Sequence, residues 1–301
     1  MLTTLTDSGN LVMAAGDLSI TGNLSTAGYQ QTGGTLDVAG ALTIKSTSGG
    51  VTLGDITAGT LSISSKAGAI TQLAATMLDV TGTTTLTADN GLTGAGAVDY
   101  AITLANGGNQ FVGAVTSTGS NIDLAQGAGG VVLGATLATG TLTVDSLGGA
   151  ITQSAGKTLA VTGTTSLTSD NGTGGFDAIT LGQAGNNFGG AETADGSAVT
   201  LKDAAALTAV LDSSGAATLT SVGAMDVSGT VGTTLKTTTT GTNAATTFGA
   251  TTVDTSLAVT STGTVTETSS NILKVDGKGT TTVSNPKVTV NGVKGAKIPG
   301  S

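Results

Sequence analysis

A short pattern, Leu-x-Val-x-Gly, returns along this chain at near-multiples of twenty residues, and that spacing limits the folds open to it. The copies are Leu36-Asp37-Val38-Ala39-Gly40, Leu78-Asp79-Val80-Thr81-Gly82, Leu159-Ala160-Val161-Thr162-Gly163 and a more worn Leu273-Lys274-Val275-Asp276-Gly277. The gaps from Leu36 to Leu78, Leu78 to Leu159 and Leu159 to Leu273 are close to two, four and six units of about twenty. The copies follow Gln30-Gln31, Ile70-Thr71-Gln72, Ile151-Thr152-Gln153 and Val265-Thr266-Glu267. A fixed period of this size marks a repeat architecture, in which each unit buries its apolar face against its neighbours.

Longer stretches repeat as well. Thr83–Gly91 (TTTLTADNG) returns as Thr164–Gly172 (TTSLTSDNG), offset by the same distance as Leu78 and Leu159. Ala101-Ile102-Thr103-Leu104 with Asn109-Gln110-Phe111 returns as Ala178-Ile179-Thr180-Leu181 with Asn186-Asn187-Phe188, and this offset is shorter by four. Four residues are therefore lost between the two pairs, in the Gly-rich stretch around Gly94 to Gly96. Length changes belong in loops, so that stretch is predicted to be a turn or bulge on the outside.

Within each unit apolar residues alternate with small polar ones: Leu36 and Val38, Leu42 and Ile44, Val51 and Leu53, Leu61 and Ile63. A period of two reads as short half-buried strands, punctuated by Gly, Asn, Asp and Ser. Asp203–Leu211 (DAAALTAVL) is the one stretch with helical character, and its flanks make another strand an equal reading. Four Phe, two Tyr and no Trp cannot fill a wide core, which excludes sandwiches and propellers of ordinary build. A hydrophobic content of 38% with mean hydropathy +0.29 is too apolar for a disordered linker.

The fold predicted is all-β: a right-handed parallel β-solenoid, or β-helix, with coils of about twenty residues. Strands stack about 4.8 Å apart, so roughly fifteen coils would make a rod on the order of 70 Å long. Residues 1–280 are assigned to the rod. Residues 281–301 are assigned to a C-terminal cap or frayed tail. The assignment rests on Lys274, Lys278, Lys287, Lys294 and Lys297 and on the two prolines, Pro286 and Pro299, residue types that block exposed strand edges.

Composition closes off several chemistries. With no Cys and no His, a disulfide framework, a zinc site and a Cys or His nucleophile–base pair are unavailable. The net charge is −9 and all ten basic residues are Lys, which argues against nucleic acid as a partner. No apolar run approaches the roughly 18 residues of a membrane helix, so membrane insertion by this segment is not expected. Met1-Leu2-Thr3-Thr4-Leu5 lacks the basic start and apolar core of a signal peptide, so an exported form would be a mature protein or a fragment.

The Ile-Thr-Gln…Leu-x-Val-x-Gly pattern and the Ala-Ile-Thr-Leu…Asn-x-Phe stretches, Ala101–Gly113 and Ala178–Gly190, resemble the repeats of filamentous-haemagglutinin-type exoproteins. These are bacterial adhesins exported by two-partner or autotransporter secretion. The resemblance covers most of residues 30–280. It implies a β-helical rod outside an outer membrane, and hence an extracellular or bacterial cell-surface location. The family's secretion domain and membrane barrel have no counterpart in these residues, so the likeness is to the repetitive shaft.

Candidate sites weigh against plainer readings. The 19 acids are scattered, and general acid–base work needs two carboxylates at a set separation. Asp177 with Asp195 is a pair that neighbouring coils could bring together. No enzyme is expected and no cofactor is required. Asp89, Asn90, Asp170 and Asn171 carry oxygen atoms suited to calcium, but Asp-Asn-Gly is a strong turn signal in itself. Asn109, Gln110, Asn186 and Asn187 flank the rare Phe111 and Phe188 and are candidates for contact with a glycan or protein. The plainer reading has each Phe plugging a widened coil while the amides cap corners. Threonine arrays at Thr83–Thr85, Thr237–Thr240 and Thr280–Thr282 raise ice binding against ordinary exposed strand.

The function expected is a non-catalytic structural shaft of a bacterial surface adhesin or extracellular fibre. The alternative is a self-assembling filament or surface-layer subunit, with ice-binding and glycan-active solenoids behind it. Partners would be a host or neighbouring-cell surface protein or glycan, or copies of the chain itself.

Overall fold

A computed structural model describes residues 2–268, 273–276 and 281–284 of the protein. They form an all-β parallel solenoid of about 14 turns, with about 20 residues per turn and no helix. Two compact units divide the chain, residues 1–149 and 150–301.

In the first unit, three stacks of short strands run in parallel register. One climbs through Leu5, Leu24, Leu42, Leu61, Thr84 and Val115. A second climbs through Val51, Ile70, Ile102, Ile122 and Leu142. The third carries Leu18, Leu36, Ile56 and Leu78, with Ile20, Val38, Ala58, Val80 and Phe111 alongside. Each apolar-x-apolar pair sends both apolar side chains inward and leaves the middle residue facing out, as in Leu78-Asp79-Val80. The core is thus a narrow column of Leu, Ile and Val, fully buried from Ile20 to Val144.

The second unit repeats the arrangement. One stack runs Thr165, Glu192, Ala209, Val227 and Phe248. Another runs Ile151, Ile179, Val199, Ala217, Leu235, Leu257 and Thr281. The stretch read from sequence as helix or strand is the strand Leu207–Ser213, entered through Ala204–Ala206. Thr281–Ser284 pairs in parallel with Ser256–Thr260. Residues 285–301, with Pro286, Lys287, Lys294, Lys297 and Pro299, lie outside the described residues, as does Lys278.

The stretch predicted to change length is an excursion from the wall. Asp89 bridges Asp99 antiparallel, and Asp170 bridges Phe176. Asn90 N–H donates to Val98 O (2.9 Å), whereas Asn171 N–H donates to Gly175 O (3.0 Å). The four missing residues come out of this exposed loop and leave the stacked strands intact.

Glycine serves two needs. Gly16, Gly34, Gly91 and Gly156 have positive φ, as tight corners require. The glycine of Leu-x-Val-x-Gly has another task. Gly40, Gly59, Gly82 and Gly113 stack at one corner, where Gly82 N–H donates to Gly59 O and Gly113 N–H to Gly82 O. A Cβ on Gly113 would lie 2.5 Å from Gly82 O and 2.6 Å from its carbonyl carbon, so the corner admits no side chain. Among the described residues, two non-glycine residues depart from the rule, Asn243 at φ +54 and Ala75 at φ +62, the latter where the later repeat has Gly156 at +69.

These positions predict opposite effects from small changes. Gly113→Ala forces backbone apart and costs about 3 kcal/mol, at the upper end for overpacking. Ala75→Gly relieves a left-handed penalty of about 1–2 kcal/mol, partly offset by glycine's entropy, and gains roughly 0.5–1 kcal/mol. Urea denaturation of the two variants beside the unaltered protein checks both signs.

Candidate functional site

The residues singled out as contacts sit at the corner where the Ile-Thr-Gln strand gives way to the Leu-x-Val strand. The chain must turn there, and the turn orphans backbone groups. Gln72 and Asn109, 37 residues apart, satisfy them together. Gln72 Nε2 donates to Asn109 Oδ1 (2.7 Å) and Asn109 Nδ2 donates back to Gln72 Oε1 (2.9 Å). Asn109 Oδ1 also accepts Leu78 N–H (3.0 Å), while Asn109 Nδ2 donates to Leu104 O (3.0 Å). Gln72 Nε2 reaches Thr76 O as well (3.1 Å).

The second unit contains the same bracket. Gln153 Nε2 donates to Asn186 Oδ1 (2.6 Å) and Asn186 Nδ2 to Gln153 Oε1 (3.0 Å). Leu159 N–H and Leu181 O complete the Asn186 amide, and Lys157 O accepts from Gln153. A third Gln, Gln31, takes Gly54 N–H and the Tyr29 hydroxyl on Oε1 and donates to Gly34 O. Tyr29 is itself fully buried, and desolvation pushes its phenol above the usual range.

Asn109 and Asn186 are 0% exposed, with donors and acceptors turned onto the protein's own groups. They bracket one coil to another and do not reach solvent. Phe111 and Phe188 are buried beside them, over Val80 and Val161. Of the four contact candidates, only Gln110 and Asn187 face outward.

The side chains of the calcium candidates cap their own turns. Asp89 Oδ1 accepts Gly91 N–H (2.9 Å), and Asn90 Oδ1 accepts Leu92 and Val98 N–H (both 3.1 Å). Asp170 Oδ1 accepts Gly172 N–H (2.6 Å), and Asn171 Oδ1 accepts Thr173 and Gly175 N–H. Among the described residues, no three Asp or Glu side chains are grouped together.

The threonine arrays are two-sided. Thr84, Thr237 and Thr239 point inward between outward neighbours, and Thr239 Oγ1 donates to Ala244 O (2.8 Å). Outward hydroxyls align across coils, in Thr52, Thr71 and Thr103 and again in Thr152, Thr180, Thr200 and Thr218. Asp123 interrupts the first ladder and Lys236 the second.

Two features escape a reading by motif. Corner serines end several strands, with Ser46, Ser65 and Ser146 each donating to the carbonyl of the Gly three residues on (2.6–2.7 Å). Acids also meet in pairs. The carboxylate facing Asp195 is Asp212, directly opposite on the next strand. Burial first and Asp212 second raise the Asp195 pKa, and Asp145 adds similarly to burial at Asp123. The only fully buried carboxylate pair among the described residues is Glu192 with Asp203, both in the second unit. The signal for it was available: with Asn186 aligned on Asn109, Glu192 stands where the earlier repeat has Val115, and Asp203 where it has Gln126.

A family model described as repeats of unknown function (DUF5649) matches residues 44–118 and 119–195, just over half of the chain. No curated protein and no solved structure matches.

The bracket predicts a contrast between adjacent residues. Asn109→Ala orphans Leu78 N–H, Leu104 O and the Gln72 amide, and costs about 3 kcal/mol at roughly 1–3 kcal/mol per stranded buried group. Gln110→Ala changes stability by less than about 0.5 kcal/mol. A Gln153/Asn186 double-mutant cycle gives a coupling of about 0.5–3 kcal/mol. Denaturant midpoints read all three.

Proposed function

This chain belongs to the DUF5649 repeat family, and from how it uses its repeated residues we propose that it is a non-catalytic structural shaft of a bacterial surface adhesin or extracellular fibre, of the filamentous-haemagglutinin type. One observation carries the reading. The repeated amides that looked most like a recognition motif, Gln72 with Asn109 and Gln153 with Asn186, bind coil to coil. A recognition repeat would keep its specific side chains on the surface, where a ligand meets them. Here the outward positions carry mainly Thr, Ser and Asp, which suit solvated strands and solubility. The likeness of these motifs to haemagglutinin-type repeats supplies the surface setting, with a host or neighbouring-cell protein or glycan held at another part of the assembly.

A shaft must carry tension. Pulled from its ends in a force spectrometer, the purified chain should resist and then release coils in whole units. Each would lengthen the tether by roughly 70 Å, from about twenty residues at 3.3–3.6 Å each. Extension without force peaks would contradict the proposal. So would tight binding on a glycan array that Gln110→Ala or Asn187→Ala abolishes.

A further inference from the structure

Glu192 occupies a position that ordinary solenoid packing reserves for an aliphatic side chain. It points inward from the strand Ala191–Gly196, is 0% exposed, and neither carboxylate oxygen has a hydrogen-bond partner. Its register neighbours are Thr165 below and Ala209 above. Thr165 Oγ1 is buried and likewise without a partner. The corresponding residue of the earlier repeat is Val115, fully buried between Thr84 and Leu133.

The same coil carries a second exchange. Gln126 of the earlier repeat accepts Phe111 N–H and donates to Ala128 O and Gly130 O. Its counterpart Asp203 accepts Phe188 N–H on Oδ2 (3.0 Å) and Ala205 N–H on Oδ1 (2.6 Å). Burial raises the Asp203 pKa, and these two backbone donors work against it; near Glu192 the backbone N–H groups of Glu192 and Thr208 also favour charge, but neither carboxylate oxygen accepts a hydrogen bond. Of two buried carboxyls in one coil, Asp203 accepts two amide hydrogen bonds and Glu192 none, so Asp203 is the better placed to hold the charge and Glu192 the proton. Burial, then the Asp203 charge, push Glu192 up from 4.5 to about 9, against weak lowering by the backbone N–H groups of Glu192 and Thr208.

Among the described residues, no other titratable group faces Glu192. The neighbouring strands Thr165–Ser169, Ile179–Leu181 and Asn187–Phe188 have none. Lys202 on Val199–Asp203, Asp212 on Leu207–Ser213 and Asp195 on its own strand all alternate outward.

We propose that Glu192 is a proton-operated latch: its protonated carboxyl lets the coil spanning residues 187–213 close over it, and loss of that proton opens this coil. A carboxylate there would be charged, dry and beside a second carboxylate, which the fold relieves only by admitting water. The sign follows from linkage. A carboxyl that binds its proton more tightly folded than unfolded stabilises the fold fully below its unfolded pKa. That stability is lost as pH rises through the folded value. The window is therefore about pH 4.5 to 9. Tyr29 titrates above it, and its own loss of stability begins only near the ordinary phenol value of 10.0.

Denaturant unfolding between pH 6 and 9 tests the latch, alongside Glu192→Val, the residue of the earlier repeat, and Glu192→Gln. The unaltered protein should show an unfolding constant that rises by up to tenfold per pH unit. Both variants should lose that slope. Hydrogen exchange adds a local readout: at pH 9, amides of residues 187–213 should exchange at least tenfold faster in the unaltered protein than in Glu192→Val, with residues 24–65 equal in both. A flat profile for the unaltered protein, or an identical slope in both variants, overturns the proposal. Should Glu192→Val fail to fold, the comparison with Glu192→Gln decides alone.

Discussion

Each coil of this protein completes its neighbours' backbone, and the rest of the structure follows from that dependence. Val51 N–H donates to Ala69 O, Ile70 N–H to Ala101 O and Ile102 N–H to Asn121 O, each bond crossing from one coil to another. A parallel strand cannot find these partners within its own hairpin, so no coil is stable alone. Register is fixed by the interior, where slipping one residue would turn Leu and Val out and Thr and Asp in.

The interior is narrow, and corners carry the stress of closing each coil. Backbone groups that leave the strand stacks at a corner have no ladder to join, and burial makes an unmet group costly. The chain answers with side-chain amides at Gln72 and Asn109, hydroxyls at Ser46 and Ser65, and bare glycine where two coils touch at Gly82 and Gly113. Thus the residues that look most like a binding motif in the sequence are those most occupied inside the molecule.

Much of this was legible beforehand. Period-two alternation gave the inward faces of Leu78-Asp79-Val80, and the shortened offset between the two Ala-Ile-Thr-Leu copies located the excursion near Gly94. The bracket was not legible, because Gln72 meets Asn109 across 37 residues and an excursion of variable length. Nor was the role of the motif glycine: positive φ and close backbone approach leave the same letter in a sequence. The threonine runs misled in a simpler way, since adjacent residues on a strand face opposite sides, and Thr84 is buried between Thr83 and Thr85. Glu192 was hidden by treating repeats as equivalent, when the informative position is the one where they differ.

The central claim is that equivalent strands stack in parallel along each unit. The chain contains no Cys, so paired substitutions report on that stacking directly. Thr71 and Thr103 face outward on adjacent rungs, and Thr52 lies one rung below Thr71. With strands about 4.8 Å apart, Thr71→Cys/Thr103→Cys falls within disulfide reach, while Thr52→Cys/Thr103→Cys, about two rungs apart, falls outside it. Mild oxidation of dilute protein should close the first pair within one chain and leave the second as free thiols. Equal cross-linking of both, or of neither, would contradict parallel stacking.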